Sequence, residues 1–451
     1  MTVDAREQAI KEAVEQADQR WVSVEVKLSR SLDPVTLFYA TNEAAGNRFY
    51  FRLNNNTTSY FGYRVAAQIK NDQPNKRALF EQWQALKQDI LCVHPDHARH
   101  HLRLCGGFQF SMERGGDEWE TFGRNHFILP EVLISQVDGE TFLTYTVERE
   151  TFSMVDLQTL VTYFDTLAPV QDTINMPQVD SIDNIKQQAW QALVEQTVAR
   201  LARDEKIVLA RQRKIQFSSE IHIGAILQKA LQNEKNSYLF VLESDTHTFI
   251  SQTPEQLFRV TDGMLYTKAV AGTLHRTQDD AQDAERLTAF LQDEKNLVEH
   301  QFVVDSILED IQPFVKQATY DASPKILKND HLYHLYTEIG GQLDGQSYIE
   351  LIDVMHPTPA LGGYPKAMAM AYIDEHEFAA RGLYGAPVGM IDIYDDCEFI
   401  VAIRSMLVHA NEALLYAGAG IVKDSDPAAE VAETALKFSP MMDALGVTEI
   451  D

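Results

Sequence analysis

Apolar and polar residues alternate along this chain with two different periods. The runs "TLFYAT", "RFYFRL", "GFQFSM" and "FLTYTV" are short, rich in aromatic and β-branched residues, and bounded by Asn, Gly or Asp, which predicts antiparallel strands. Between them "KRALFEQWQALKQD" repeats its apolar positions with helical spacing, and "NIKQQAWQALVEQTVARLARDE" does so over a longer span. Beyond it the runs "KIVLAR", "SYLFVLE", "HTFIS", "GMLYTK", "APVGMIDIY", "CEFIVAIRSMLV" and "ALLYAGAG" predict further strands. The segments "LVEHQFVVDSILEDI" and "PAAEVAETALKFSPMMDALG" predict further helices. Strand and helix do not alternate strictly, so the expected fold class is α+β, with large, mostly antiparallel sheets carrying helices on one side. The Pro- and Asp-bearing stretch near 175–185 is the expected boundary between an N-terminal α+β half, 1–180, and a second region, 181–451.

Composition narrows the function. With 39 Lys and Arg against 66 Asp and Glu, the net charge of −27 repels phosphate backbones, so nucleic acid is not an expected partner. An anionic substrate must then find its positive charge locally. No apolar run is long enough to span a membrane, and the acidic, amphipathic N-terminus is unlike a signal peptide. Cys92, Cys105 and Cys397 are few and widely spaced, which points to a reducing cytoplasm.

Several residues stand out chemically, and each has an ordinary structural reading beside the functional one. Glu299 continues the apolar stripe of Val303, Val304, Ile307, Leu308 and Ile311, where a carboxylate needs a cation; alternatively it is a favourable charge at a helix start. Lys206 opens the apolar run "KIVLAR", either as a strand end facing water or as a base in a low-dielectric site. Glu255 follows a Thr-Pro turn and precedes an apolar pair, which on spacing alone reads as a helix-start carboxylate. The glycine-bearing turns "AVAGTLHR" and "YAGAGIVKDSDP" let backbone N–H groups approach an anion. In "EVAETALK", Glu430, Glu433 and Lys437 form either a solvated helix face or one wall of a site. The cluster "HPDHARHHLRLC" stands in a loop-rich stretch without an "HEXXH" motif and reads as surface.

Taken together and in order, "KIVLAR", "TPEQLF", "AVAGT", "NLVEHQFVVD", "HPTPALGGYP", "RGLYGAPVG", "FIVAIRSMLV" and "YAGAGIVKDSDPAAEVAETALK" closely resemble the chorismate-utilising enzyme family. That family includes isochorismate, salicylate, anthranilate and aminodeoxychorismate synthases. The resemblance is strong over about 185–448, and the earlier "CGGFQFSME" and "NHFILPEVLIS" look like menaquinone-type isochorismate synthases. It implies a sandwich of large, mostly antiparallel sheets with helices outside, and the magnesium-dependent isomerisation of chorismate to isochorismate: water adds at C2 and the C4 hydroxyl leaves. By matching motif positions, Lys206 is the base, Glu255 the acid, and Glu299, Glu430 and Glu433 hold magnesium. Lys437 matches a contact to the substrate carboxylate, and Arg404 and Tyr384 match residues that bind the enolpyruvyl carboxylate. Gly418, Gly420 and the backbone of Ala271, Gly272 and Thr273 line the same pocket.

Within the family, Lys206 argues against anthranilate synthases, and Ala271 argues against the lysine adduct of aminodeoxychorismate synthases. His356 and Ala360 look like the isochorismate-only form rather than salicylate synthase. Two departures remain: Asn296 replaces an acidic residue found in some members, and Lys268 stands where many isochorismate synthases have glutamate. The resemblance thus implies a cytoplasmic, monomeric isochorismate synthase, with menaquinone biosynthesis favoured over a siderophore pathway. Salicylate synthase, or a regulatory or binding subunit of a chorismate amidotransferase complex, is the alternative.

Overall fold

The tetrad Asp33-Pro34-Val35-Thr36 shows how local chemistry decides an element. Asp33 accepts the backbone N–H of Thr36 at 2.8 Å, and Pro34 occupies the first helical turn, where its missing N–H costs nothing. "TLFYAT" is therefore part of the helix Pro34–Ala40, and the strand expected from its β-branched and aromatic content does not form. The computed structural model describes residues 3–72, 75–111, 113–170, 175–233, 236–277, 279–328, 332–345 and 348–447.

The chain divides into two compact units. The first comprises residues 1–255, 357–393 and 400–451, so it draws on both sides of the 175–185 stretch. Strand pairing explains this, because Arg48–Arg52 pairs with Tyr238–Ser244 and Arg103–Phe108 pairs with Pro387–Asp392. Its ladders are antiparallel throughout the described registers except for Trp21–Lys27 beside Ile90–Val93. Both faces of the sheet are buried. Phe49, Phe51, Phe240, Phe249 and Tyr416 meet on one face around Trp119. Tyr50, Phe61, Val241 and Leu415 lie on the other, beneath the helices Ile223–Asn233 and Pro427–Leu445. Alternation along each strand thus feeds two cores, which accounts for strands such as Arg48–Arg52 that are buried on both faces.

The second unit, 256–356 with 394–399, is an antiparallel sheet in which Met264–His275 pairs with Leu332–Leu343. The helix Glu294–Ile311 packs on it through His300, Val304 and Ile311. The buried stripe therefore runs through His300, and Glu299, expected to continue it, is exposed.

Two further expectations change. "GFQFSM" leaves the sheet after Phe108, because Phe110 N–H turns to the carbonyl of Gly382. "CEFIVAIRSMLV" is two strands, Cys397–Val401 and Ser405–His409, broken at Arg404, whose φ is +46°. The α+β class and the dominance of antiparallel pairing are as the sequence predicts. No helix among the described residues is long and apolar enough to cross a membrane.

Candidate active site

The strand Lys206–Phe217 runs antiparallel to Glu412–Ile421, and the register sets Gly418 opposite Ala210 and Gly420 opposite Val208. Both glycines leave space that side chains from elsewhere occupy. A Cβ on Gly420 would stand 2.6 Å from Cε and 3.2 Å from Nζ of Lys206, so the lysine lies across this glycine. A Cβ on Gly418 would stand 2.7 Å from the hydroxyl of Tyr384. Lys437, on the helix Pro427–Leu445, donates to the carbonyl of Gly418 at 2.8 Å and pairs with Glu433 at 2.7 Å. Three cationic or hydroxyl groups from three elements thus converge on one glycine-lined strand end.

Glu255 completes this set. Its N–H donates to Thr253 Oγ1 at 3.1 Å, and its carbonyl accepts from Val401 at 3.0 Å, so the backbone is held on both sides. Its carboxyl retains partial solvent access, yet burial pushes its pKa up to about 7, and the nearby charges of Arg404 and Lys206 only partly oppose this. A carboxyl of this kind is still partly protonated near pH 7 and ready to give a proton away. Arg404 holds its left-handed backbone because its neighbours are fixed. Its carbonyl accepts from Gln252 N–H at 3.1 Å, and Ser251 Oγ donates to the carbonyl of Ile403 at 2.7 Å. Non-glycine residues in this conformation persist only where surroundings impose it.

Tyr384 is buried and stacks on Tyr416 with ring centres 5.3 Å apart; burial pushes its phenol pKa upwards, and it stays neutral. The turn after Thr358 places Ala360 at the surface and Gly363 against the start of the Lys206 strand. At Gly363, with φ of +127°, a Cβ would stand 2.1 Å from the carbonyl oxygen of Lys206, so no side chain fits there.

One supporting pair was not singled out by sequence. Arg381 and Glu377 are both buried, and Arg381 Nε donates to Glu377 Oε2 at 2.9 Å. Arg381 also donates to the carbonyls of Val208 at 2.7 Å and Leu361 at 2.9 Å, and Glu377 accepts from Ala210 N–H at 2.7 Å. The pair ties the Lys206 strand to the Ala360 turn. The spacing "EFAAR" carries the signal, because a Glu–Arg pair four apart beside "GLYG" suits a buried brace better than a solvated face.

Of the acidic residues, Glu430 is buried in the first turn of its helix, where Thr434 Oγ1 donates to its carbonyl at 2.9 Å. Glu433, one turn on, is exposed except for its pairing with Lys437. A set of carboxylates on one helix face is the hard oxygen donor type that magnesium takes, so these residues fit that ion.

The second unit carries the remaining candidates. Ala271, Gly272 and Thr273 form an irregularity in the Met264–His275 ladder, with Gly272 at φ of +76° and its missing Cβ 3.2 Å from Asn296 Oδ1. Thr273 Oγ1 lies 3.1 Å from His334 Nδ1. Buried His300, hydrogen-bonded to Thr337 at 2.8 Å, fixes the helix on which exposed Glu299 sits. Asn296 is spoken for by Asp293, to which it donates at 2.8 Å, and Lys268 faces Glu338 across the ladder. His356 is buried just past the helix Tyr348–Met355.

Replacing Gly420 by alanine is expected to lower turnover by up to about 10²-fold, because the added methyl displaces the Lys206 amine by about an ångström. The melting temperature should scarcely change, since the displaced group is the mobile end of a lysine. Kinetics and thermal denaturation of the variant check both halves; full activity would mean Lys206 does not act from this position.

Comparison with known proteins places the chain. The profile of the family described as "Chorismate binding enzyme" matches residues 8–446. The isochorismate synthase MenF of Bacillus subtilis is 32% identical over 433 residues, covering 92% of this chain and 92% of that protein. The salicylate biosynthesis isochorismate synthase of Pseudomonas aeruginosa is 30% identical over 427 residues, covering 92% and 88%. Among solved structures, the menaquinone-specific isochorismate synthase MenF of Escherichia coli superposes with a TM-score of 0.79 at 23% identity, over 98% of this chain and 99% of that one, a likeness of fold. The chain belongs to the chorismate binding enzyme family.

Proposed function

We propose that this protein is an isochorismate synthase, an isomerase that exchanges the C4 hydroxyl of chorismate for a hydroxyl from water at C2. The observation that carries the mechanism is that Lys206, lying across Gly420, is electrostatically coupled to a Glu255 whose carboxyl keeps much of its proton up to near pH 7. The Lys206 amine takes a proton from the attacking water as its oxygen bonds to C2. The ring double bonds shift, the C4–O bond breaks, and Glu255 delivers its proton to the departing hydroxyl. One base gains a proton and one acid loses one, so the ring hydroxyl moves without any redox partner.

Arg404 and the Tyr384 hydroxyl would receive the enolpyruvyl carboxylate, and Lys437 the ring carboxylate. They supply the positive charge that a chain of net charge −27 must gather locally. Glu430 and Glu433 would hold magnesium, which would neutralise and orient the ring carboxylate. The name MenF, shared by the B. subtilis relative and the menaquinone-specific E. coli enzyme, favours a menaquinone precursor as the destination of the product.

The metal assignment has its own test. Chelation should abolish chorismate turnover, and added magnesium should restore it. Activity that survives exhaustive chelation would leave these glutamates with a structural role.

A further inference from the structure

The strand Trp21–Lys27 directs Val22, Val24 and Val26 into one core, so Ser23, Glu25 and Lys27 share the opposite face. That face is not open to water at Glu25, which is fully buried. The loop between Ile90–Val93 and Arg103–Phe108 lies over it, and the histidines read from the sequence as surface are packed inside. The side chains of His97 and His101 are only 12% exposed. The carboxylate these histidines meet, Glu25, comes from a strand some seventy residues earlier.

We infer that Glu25, His97 and His101 form a binding site for one zinc-class divalent ion, with a water in the fourth position, separate from the chorismate site. His97 Nε2 and His101 Nδ1 converge on the same oxygen of Glu25, at 2.5 and 2.8 Å, and all three ligand atoms lie within 4.8 Å of one another. Two imidazoles and a carboxylate with one open position is a set suited to zinc, whereas magnesium prefers oxygen alone. The ligands are also oriented from behind, as metal ligands are. Thr144, opposite Glu25 in the ladder, donates to Oε2, and the backbone N–H of His101 reaches both carboxylate oxygens at 3.1 Å.

The loop itself is fixed independently of the cluster. His100 bonds to the carbonyl of Ser23 at 3.1 Å through Nε2 and accepts Leu102 N–H through Nδ1, and Phe142 packs against both other rings at about 4.5 Å. His97 Nδ1 is buried without a partner among the described residues, so the Glu25 cluster is that ring's sole polar engagement there. A bound ion would staple the loop to the strand.

The test uses the full chain, stripped with a chelator and titrated with zinc and then cobalt in the presence of excess magnesium. About one equivalent should bind, cobalt should give the intense visible absorption of a four-coordinate site, and zinc should raise the melting temperature. His97→Gln and His101→Gln should each weaken binding by about 10-fold or more. Zinc X-ray absorption on the unmodified chain counts imidazole ligands even where a variant fails to fold: two support the site and none overturns it. Zinc binding unchanged by both substitutions, or no binding at all, would overturn it too and leave the cluster as a proton-sharing brace.

Discussion

Lys206→Ala is expected to lower turnover by about 10²–10⁴-fold, the usual worth of a positioned general base, while the protein stays folded. The fold should survive because the strand is anchored by backbone pairing, Lys206 with Tyr364 and Ile207 with Gly363, and by the Arg381 bond to Val208. The amine lies across Gly420, within electrostatic reach of Glu255. Steady-state kinetics alongside circular dichroism make the check. A folded Lys206→Ala protein with near-normal turnover would remove Lys206 from the chemistry.

Glu255→Gln should have an effect of similar size, about 10²–10⁴-fold, because glutamine keeps the shape and hydrogen bonding but has no proton to give. The parent enzyme should also lose activity as pH rises through about 7, where Glu255 ionises. The variant's residual activity should lack that limb. The same shift predicts stability. The folded carboxyl titrates near 7 against an ordinary value of 4.5, so the folded state holds the proton more tightly. That contribution is complete below about pH 4.5 and is lost as pH rises to about 7, a change of up to about 3 kcal/mol. Denaturant titrations at pH 5 and pH 8 should therefore show Glu255→Gln gaining on the parent at the higher pH. Equal pH dependence in both proteins would place the raised pKa elsewhere.

The regular part of the fold was legible because its residues agree with their surroundings. "RFYFRL" and "FLTYTV" are strands, and "KRALFEQWQALKQD" is a helix capped by Asn75. Local chemistry hid the exceptions. The Asp33 cap outweighed the strand propensity of "TLFYAT", and the left-handed turn at Arg404 sits inside an unbroken apolar run that gives no sign of it. The site motifs were legible only as an ordered set, since no single one distinguishes a buried amine from a surface lysine. Long-range partners escaped altogether. Glu25 meets His97 and His101, and Arg381 meets Val208 and Leu361, through topology that spacing along the chain does not encode.

The central claim is that Lys206 and Glu255 move a hydroxyl and do nothing else to chorismate. The most direct measurement is to incubate the purified chain with chorismate and magnesium alone, without ammonia or glutamine, and to identify the products. The account predicts a reversible approach to a mixture of chorismate and isochorismate, with no pyruvate and no salicylate fluorescence above a trace. Stoichiometric salicylate and pyruvate, or no consumption of chorismate until an amine donor is supplied, would contradict it.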